Sequence, residues 1–167
     1  TFTRAARVAP PALDDTPGPG HEHLKPIEWL VGDWSVRGTW ADGKPHEGEE
    51  HSGWVYDKNF IQGAGWYKGR DGQRIDYHFM IAWDAKAKKL LMAHVDSEGG
   101  HGTGTATYDP QTKTTTSRRT AITAAGEEIS LDQINRLVNE DTFEWTGTNF
   151  RIGEKTLPDV KLTFSRK

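Results

Sequence analysis

"RIDYHFMIAWDAKAKKLLMAHVDSEGGHGTGTATYD", Arg74 to Asp109, holds three runs of alternating apolar and polar residues, parted by turn signals at Asp84 to Lys89 and at Glu98-Gly99. Alternation with a period of two puts successive side chains on opposite faces of a strand, and short glycine- and aspartate-bearing turns join such strands antiparallel. The pattern continues in both directions, from Asp33 to the C-terminus. It predicts strands near 34–41, 46–56, 60–69, 73–84, 89–97, 100–108, 114–124, 127–138, 142–151 and 159–166. Asp71-Gly72, Asp109-Pro110, Ala125-Gly126 and Asn139 to Asp141 supply further turns. With about ten strands and no crossover segment, a closed up-and-down barrel is the economical way to hide the sheet edges. The expected fold is therefore all-β: a single antiparallel barrel with one short helix at its start.

That helix lies in "HEHLKPIEWLVGDW", where Leu24, Ile27, Leu30 and Val31 fall at near-helical spacing and Pro26 limits it to one or two turns ending near Gly32. The first twenty residues, "TFTRAARVAPPALDDTPGPG", are rich in Ala, Pro and Gly with no apolar period. They read as a flexible tail, 1–20, ahead of a barrel domain over 21–167. Such a tail suits a mature N-terminus after a removed signal, which leans toward a secreted or periplasmic location over a cytoplasmic one.

A length of 167 residues suits one domain with one core. Seven Trp, six Phe and four Tyr concentrate apolar area in a few large side chains, although hydrophobic residues make up only 34% of the chain. A formal net charge of −3 offers no footprint for a phosphate backbone, so no nucleic-acid partner is expected. The longest apolar run, "FMIAW" at 79–83, is far below a membrane span, and the chain reads as soluble. The absence of cysteine excludes disulfides and thiol chemistry.

Several stretches carry a resemblance. "LKPIEWLVGDW", "IAWDAKAKKL", "DSEGGHGTGT", "VNEDTFEWTG" and "VKLTFSRK" together resemble a bacterial calycin-like domain family of unknown function, over most of Leu24 to Lys167. More distantly, Gly32-Asp33-Trp34 is similar to the lipocalin G-x-W signature, which implies that Trp34 closes the barrel bottom under an arginine from a late strand, here Arg166. "IEWLVGDW" is also similar to the start of nitrobindin, a haem barrel, but the ending "LPDVKLTFSRK" has no histidine to serve as its haem ligand.

Register then assigns the faces. A four-residue loop at Ala85 to Lys88 sets Trp83 opposite Leu90, Ile81 opposite Met92, Phe79 opposite His94 and Tyr77 opposite Asp96. The apolar members mark the interior. A two-residue Glu98-Gly99 turn would pair Asp96 with His101 and place His101 inside; the next hairpins would set Arg118 opposite Thr105 and Gln133. The expected lumen has an aromatic arc of Phe60, Trp66, Tyr77, Phe79, Phe143 and Trp145. Facing it is a polar arc of His94, Asp96, His101, Arg118, Gln133 and Asn135. A single slipped register would turn a whole strand inside out.

These residue types permit three readings. Buried ionisable groups need partners, so the polar arc could be a structural network. It could instead orient a small apolar ligand by a polar end, with Trp66, Tyr77, Phe79, His94, Asp96, His101, Arg118, Gln133, Asn135 and Trp145 lining the site. Or His94, Asp96 and His101 could act as an acid-base group in a cofactor-independent lyase, isomerase or cyclase. Two histidines and a carboxylate also suit a metal, but Arg118 in the same wall would repel the cation, so neither metal nor cofactor is expected. His46 and His51, in "HEGEEH", read as a solvated strand edge. The ligand-binding reading is the one carried forward.

Overall fold

The computed structural model describes residues 16–40 and 43–167. The greater part of the expected tail, 1–15, lies outside the described residues. Within the remainder, the Gly18 amide donates to the Asp57 carbonyl at 2.6 Å and the Gly20 amide to Asn59 Oδ1 at 2.9 Å.

Helix α1 (His21–Leu24) runs into a 3-10 turn (Lys25–Leu30), with Pro26 in its first turn, where a missing amide costs nothing. Eleven strands follow: β1 (Gly32–Thr39), β2 (Pro45–Val55), β3 (Phe60–Lys68), β4 (Arg74–Asp84), β5 (Lys89–Asp96), β6 (His101–Asp109), β7 (Thr114–Ile122), β8 (Glu128–Asn139), β9 (Thr142–Ile152), β10 (Lys155–Thr156) and β11 (Val160–Arg166). Every pairing is antiparallel, consecutive strands are neighbours from β1 to β9, and β11 fits between β9 and β1. Ten strands therefore close into a barrel, and the two-residue β10 adds to the end of β9. No helix among the described residues is long and apolar enough to cross a membrane.

Aspartates open several of the hairpins. Asp84 Oδ1 accepts the amides of Lys86 and Ala87, Asp109 Oδ1 that of Gln111, and Asp71 Oδ1 that of Gln73, each side chain standing in for a turn of backbone. The four-residue 85–88 loop gives the anticipated register, with Tyr77 opposite Asp96, Phe79 opposite His94, Ile81 opposite Met92 and Trp83 opposite Leu90.

The next hairpin departs from expectation. Its loop has three residues, Ser97 to Gly99, with Gly99 in the left-handed region at φ 86° and the Asp96 amide bonded to the Gly100 carbonyl. This three-residue form needs glycine at its last position, and the sequence alone mistakes it for a two-residue turn. His101 consequently pairs with Val95, and β6 and β7 are inverted relative to the expected facing. At 124–126 the same loop type recurs, with Gly126 at φ 83°, and this second one-residue shift restores the expected facing from β8 onward.

The helical segment plugs one end of the barrel. Leu24, Ile27 and Leu30 are buried there with Trp34, Ile61, Leu90, Phe143 and Phe164. Two buried donors hold the last helical carbonyl, that of Leu30: Ser52 Oγ at 2.6 Å and Trp34 Nε1 at 2.9 Å. The Arg166 guanidinium lies 4.3 Å from the centre of the fully buried Trp34 ring, and its Nη1 donates to the Val31 carbonyl at 3.2 Å. Trp34 and Arg166 are also direct strand partners, so the G-x-W tryptophan closes the floor as expected.

Candidate functional site

A cavity of about 310 Å³ occupies the barrel above this floor. Its lower wall is apolar, with Val36, Ile81, Met92, Phe143 and Phe164. Its upper wall gathers Glu50, Tyr67, Tyr77, His94, Asp96, Arg119 and Gln133 toward the end bearing the β1–β2, β3–β4, β5–β6 and β7–β8 turns.

Glycines make room for this polar wall. Gly65 stands opposite Tyr77, and a Cβ there would come within 2.7 Å of the Tyr77 hydroxyl. Tyr77 can therefore lie across β3 and donate to Glu50 Oε2 on β2 at 2.7 Å. Burial pushes the Glu50 carboxyl up to about 7, with the Tyr77 hydrogen bond opposing. Burial, and then the neighbouring Glu50 charge, also raises Tyr77. The Tyr67 ring sits 6.0 Å from that of Tyr77, and burial, with the negative charges of Asp96 and Glu98, pushes its hydroxyl up to about 12.

Two imidazoles complete the upper wall. His46 stacks on Tyr67 at 5.4 Å and tilts against Trp40 at 4.6 Å. Burial lowers His46 to about 4. His94 is also lowered to about 4, by burial and by the positive charge of Arg119. Both rings are thus neutral at physiological pH, and the Nδ1 atom of each is buried without a hydrogen-bond partner among the described residues. Arg119 donates from Nη1 to Gln133 Oε1 at 3.0 Å, and burial lowers its pKa as well. Deeper along β8, Asn135 Nδ2 donates to Thr115 Oγ1 at 3.0 Å.

The placement of the sequence-predicted residues divides cleanly. Tyr77, Phe79, His94, Asp96, Gln133, Asn135 and Trp145 line the cavity, as does Phe143. His101 and Arg118 do not join them. His101 is exposed on the outer face, and Arg118 pairs outside with Asp132 at 2.9 Å, because the loop at 97–99 has one residue more than a two-residue turn. Trp66 also borders the cavity, but not by an inward-facing ring. Its indole lies on the outer face, bonded to Glu49 Oε2 at 3.4 Å and covered by Arg74 at 4.9 Å, since its neighbours Gly65 and Tyr67 take the inward positions. Phe60 packs edge-on against the exposed Tyr56 at 6.0 Å.

His46 is 5% exposed, buried in the interior rather than at a solvated edge. Glu50, Tyr67 and Arg119 also line the cavity and were missed by sequence reasoning. For Glu50 the available signal was its alternation with Gly48 and Ser52; for Arg119 it was the true length of one turn.

The acid-base arrangement anticipated for His94, Asp96 and His101 is not made. Asp96 Oδ1 is engaged by the amides of Glu98 at 3.0 Å and Gly100 at 2.9 Å, and His94 Nδ1 has no partner among the described residues. Burial instead brings the Glu50 carboxyl into the neutral range.

Fold and cavity together define a closed ten-strand β-barrel with a helix-plugged floor and a lumen of mixed character. No family profile and no curated protein matches the chain. Among solved structures it is similar to Rv2717c from M. tuberculosis, at 16% identity and a TM-score of 0.68, over 90% of this chain and 99% of that one. Designed barrels also align, among them EF1p2_mFAP2b bound to DFHBI, at 16% identity and a TM-score of 0.49, over 84% of this chain and 96% of that one. These likenesses concern the fold.

Proposed function

We propose that this chain binds a small, largely apolar molecule with one polar end inside the barrel, and that it belongs with the bacterial calycin-like barrels its sequence resembles. The carrying observation is the cavity of about 310 Å³, apolar below and polar on one upper wall. That volume is near the lower bound of ordinary small-molecule sites, which combine an apolar lining with a few converging polar groups. A purely structural network would satisfy its own members. Here His46 Nδ1 and His94 Nδ1 are left over among the described residues, so the wall has hydrogen-bonding capacity for a guest.

The test is fluorescence titration with 1-aminoanthracene, an uncharged apolar probe. Saturable enhancement is expected in the wild type and in the outer-face variant His101→Ala, and loss is expected in Ala121→Trp, which puts a large ring at a β7 position lining the cavity. Absence of enhancement in the wild type, or enhancement untouched by a folded Ala121→Trp protein, would refute cavity binding.

One observation favours a second reading. A carboxyl titrating near 7 beside a tyrosine in an apolar cavity is suited to move a proton to or from a bound substrate. Under that reading a guest would be released chemically altered by the wild type and unaltered by Glu50→Gln, which mass spectrometry distinguishes.

A further inference from the structure

The polar wall holds a single cation, set among two carboxyls. Arg119 is the only lysine or arginine lining the lumen among the described residues. Its stem crosses inward-facing Gly104, where a Cβ would come within 2.9 Å of Arg119 Cγ, so the guanidinium reaches over β6 into the cavity. Its one hydrogen-bond partner among the described residues is the neutral amide oxygen of Gln133. No described carboxylate lies within 4.0 Å of it.

The lumen's two carboxyls are otherwise engaged. Glu50 accepts the Tyr77 hydroxyl, and Asp96 is tied to the amides of its own turn. His46 and His94, as imidazole or imidazolium, carry no negative charge to pair with it. A guanidinium has five N–H donors, so four remain unspent here, and a charge taken out of bulk water is ordinarily paired. The Tyr67 hydroxyl, on the same wall, makes no hydrogen bond among the described residues.

We propose that the polar end of the ligand is a carboxylate, held by Arg119 with help from Tyr67, and that its apolar body extends down toward Val36, Ile81 and Phe143. The planar donor fork of arginine matches the two oxygens of a carboxylate, which gives orientation as well as attraction. This proposal rests on the lumen being a binding cavity, and it adds the charge of the guest. The predicted ligand class is a medium-length aliphatic or aryl-aliphatic carboxylic acid in its ionised form.

Three ligands of equal length and different head group decide it: decanoate, decanol and decylamine, each displacing 1-aminoanthracene at about pH 6, where the acid is ionised and the Glu50 carboxyl is largely protonated. Decanoate is expected to displace the probe at a concentration lower by about tenfold or more than decanol, the scale of one charge-assisted contact, with decylamine weakest. Arg119→Met should bring decanoate to the level of decanol and leave decanol unchanged, whereas Arg119→Lys should keep part of the preference. Arg118→Met, on the outer face, should change nothing.

Failure of the probe to bind at all would refute the cavity itself. Probe binding with decanol equal to or better than decanoate would overturn the carboxylate proposal and leave the cavity standing. A decanoate preference that survives in a folded Arg119→Met protein would overturn the role of Arg119. Should that variant not fold, the wild-type ranking of the three ligands still decides the sign of the site.

Discussion

Replacing Glu50 by glutamine should make the protein more stable, and by an amount that depends on pH. The Glu50 carboxyl titrates at about 7 in the fold against 4.5 for the unperturbed group, because burial penalises its ionised form. Below pH 4.5 it is protonated in both folded and unfolded chains and contributes no difference. Between 4.5 and 7 the unfolded chain ionises first, so stability falls as pH rises, and above 7 the full penalty is present. At about 1.4 kcal/mol per pH unit, the interval corresponds to roughly 3 kcal/mol. What surface Glu50 exposes faces the lumen, and water there would reduce the figure, so about 2 kcal/mol is the working expectation. Glutamine keeps an oxygen to accept from Tyr77, which preserves the 2.7 Å hydrogen bond and isolates the charge. Urea unfolding of both proteins at pH 5 and pH 8, followed by tryptophan fluorescence, should show the variant's advantage widening by about 2 kcal/mol toward pH 8. Taking the difference between variant and wild type cancels the histidines, whose effects run the other way. A gap that stays constant across this range would mean that Glu50 ionises like a surface carboxyl and that the upper lumen is not dry.

His46 gives the mirror image. Its folded pKa is depressed to about 4, so the wild type holds full stability above 6.5 and loses it as pH falls through the window down to 4. His46→Phe keeps a ring between Trp40 and Tyr67, and its stability relative to wild type should improve by about 2 kcal/mol on going from neutral pH to pH 5; no pH dependence in that difference would show the imidazole to be hydrated. At the floor, Arg166→Ala should cost about 1–2 kcal/mol by removing the cation over Trp34 and the bond to the Val31 carbonyl, with Arg166→Lys recovering only part. Thermal unfolding reads this, and an unchanged midpoint would mean that the plug is held by apolar packing alone.

Nearly all of the architecture could be read from the sequence, because alternation and turn chemistry are local. The four-residue loop at 85–88 is fixed by Asp84, and the pairs across β4 and β5 fall where the residues say they should. The site was less legible because facing is cumulative. One residue more than expected in the loop at 97–99 exchanged His101 and Arg118 for positions such as Arg119. A second such loop at 124–126 reversed the error and returned Gln133 and Asn135 to the interior, where both are buried. The left-handed turn at Gly99 thus decides which arginine faces the lumen.

In β3 interior space is governed by volume, not by hydrophobicity, and β6 carries the same signal. Hydrophobicity alone places Trp66 inward in β3, and a two-residue turn at Glu98-Gly99 would place Thr105 inward in β6. The inward positions instead belong to Gly63 and Gly65, and to Gly102 and Gly104. A ring or a long stem can cross a neighbouring strand only where that strand has no Cβ, and each pair sits beside such a crossing: Phe79 and Tyr77 over β3, Arg119 over β6. Close packing leaves no other route for large side chains into a narrow barrel. The repeated G-x-G in "QGAGW" and "HGTGT" is therefore itself a facing signal. Read that way, the alternation in β6 puts His101 outside without knowledge of the turn, and the alternation in β7 then puts Arg119, not Arg118, in the lumen.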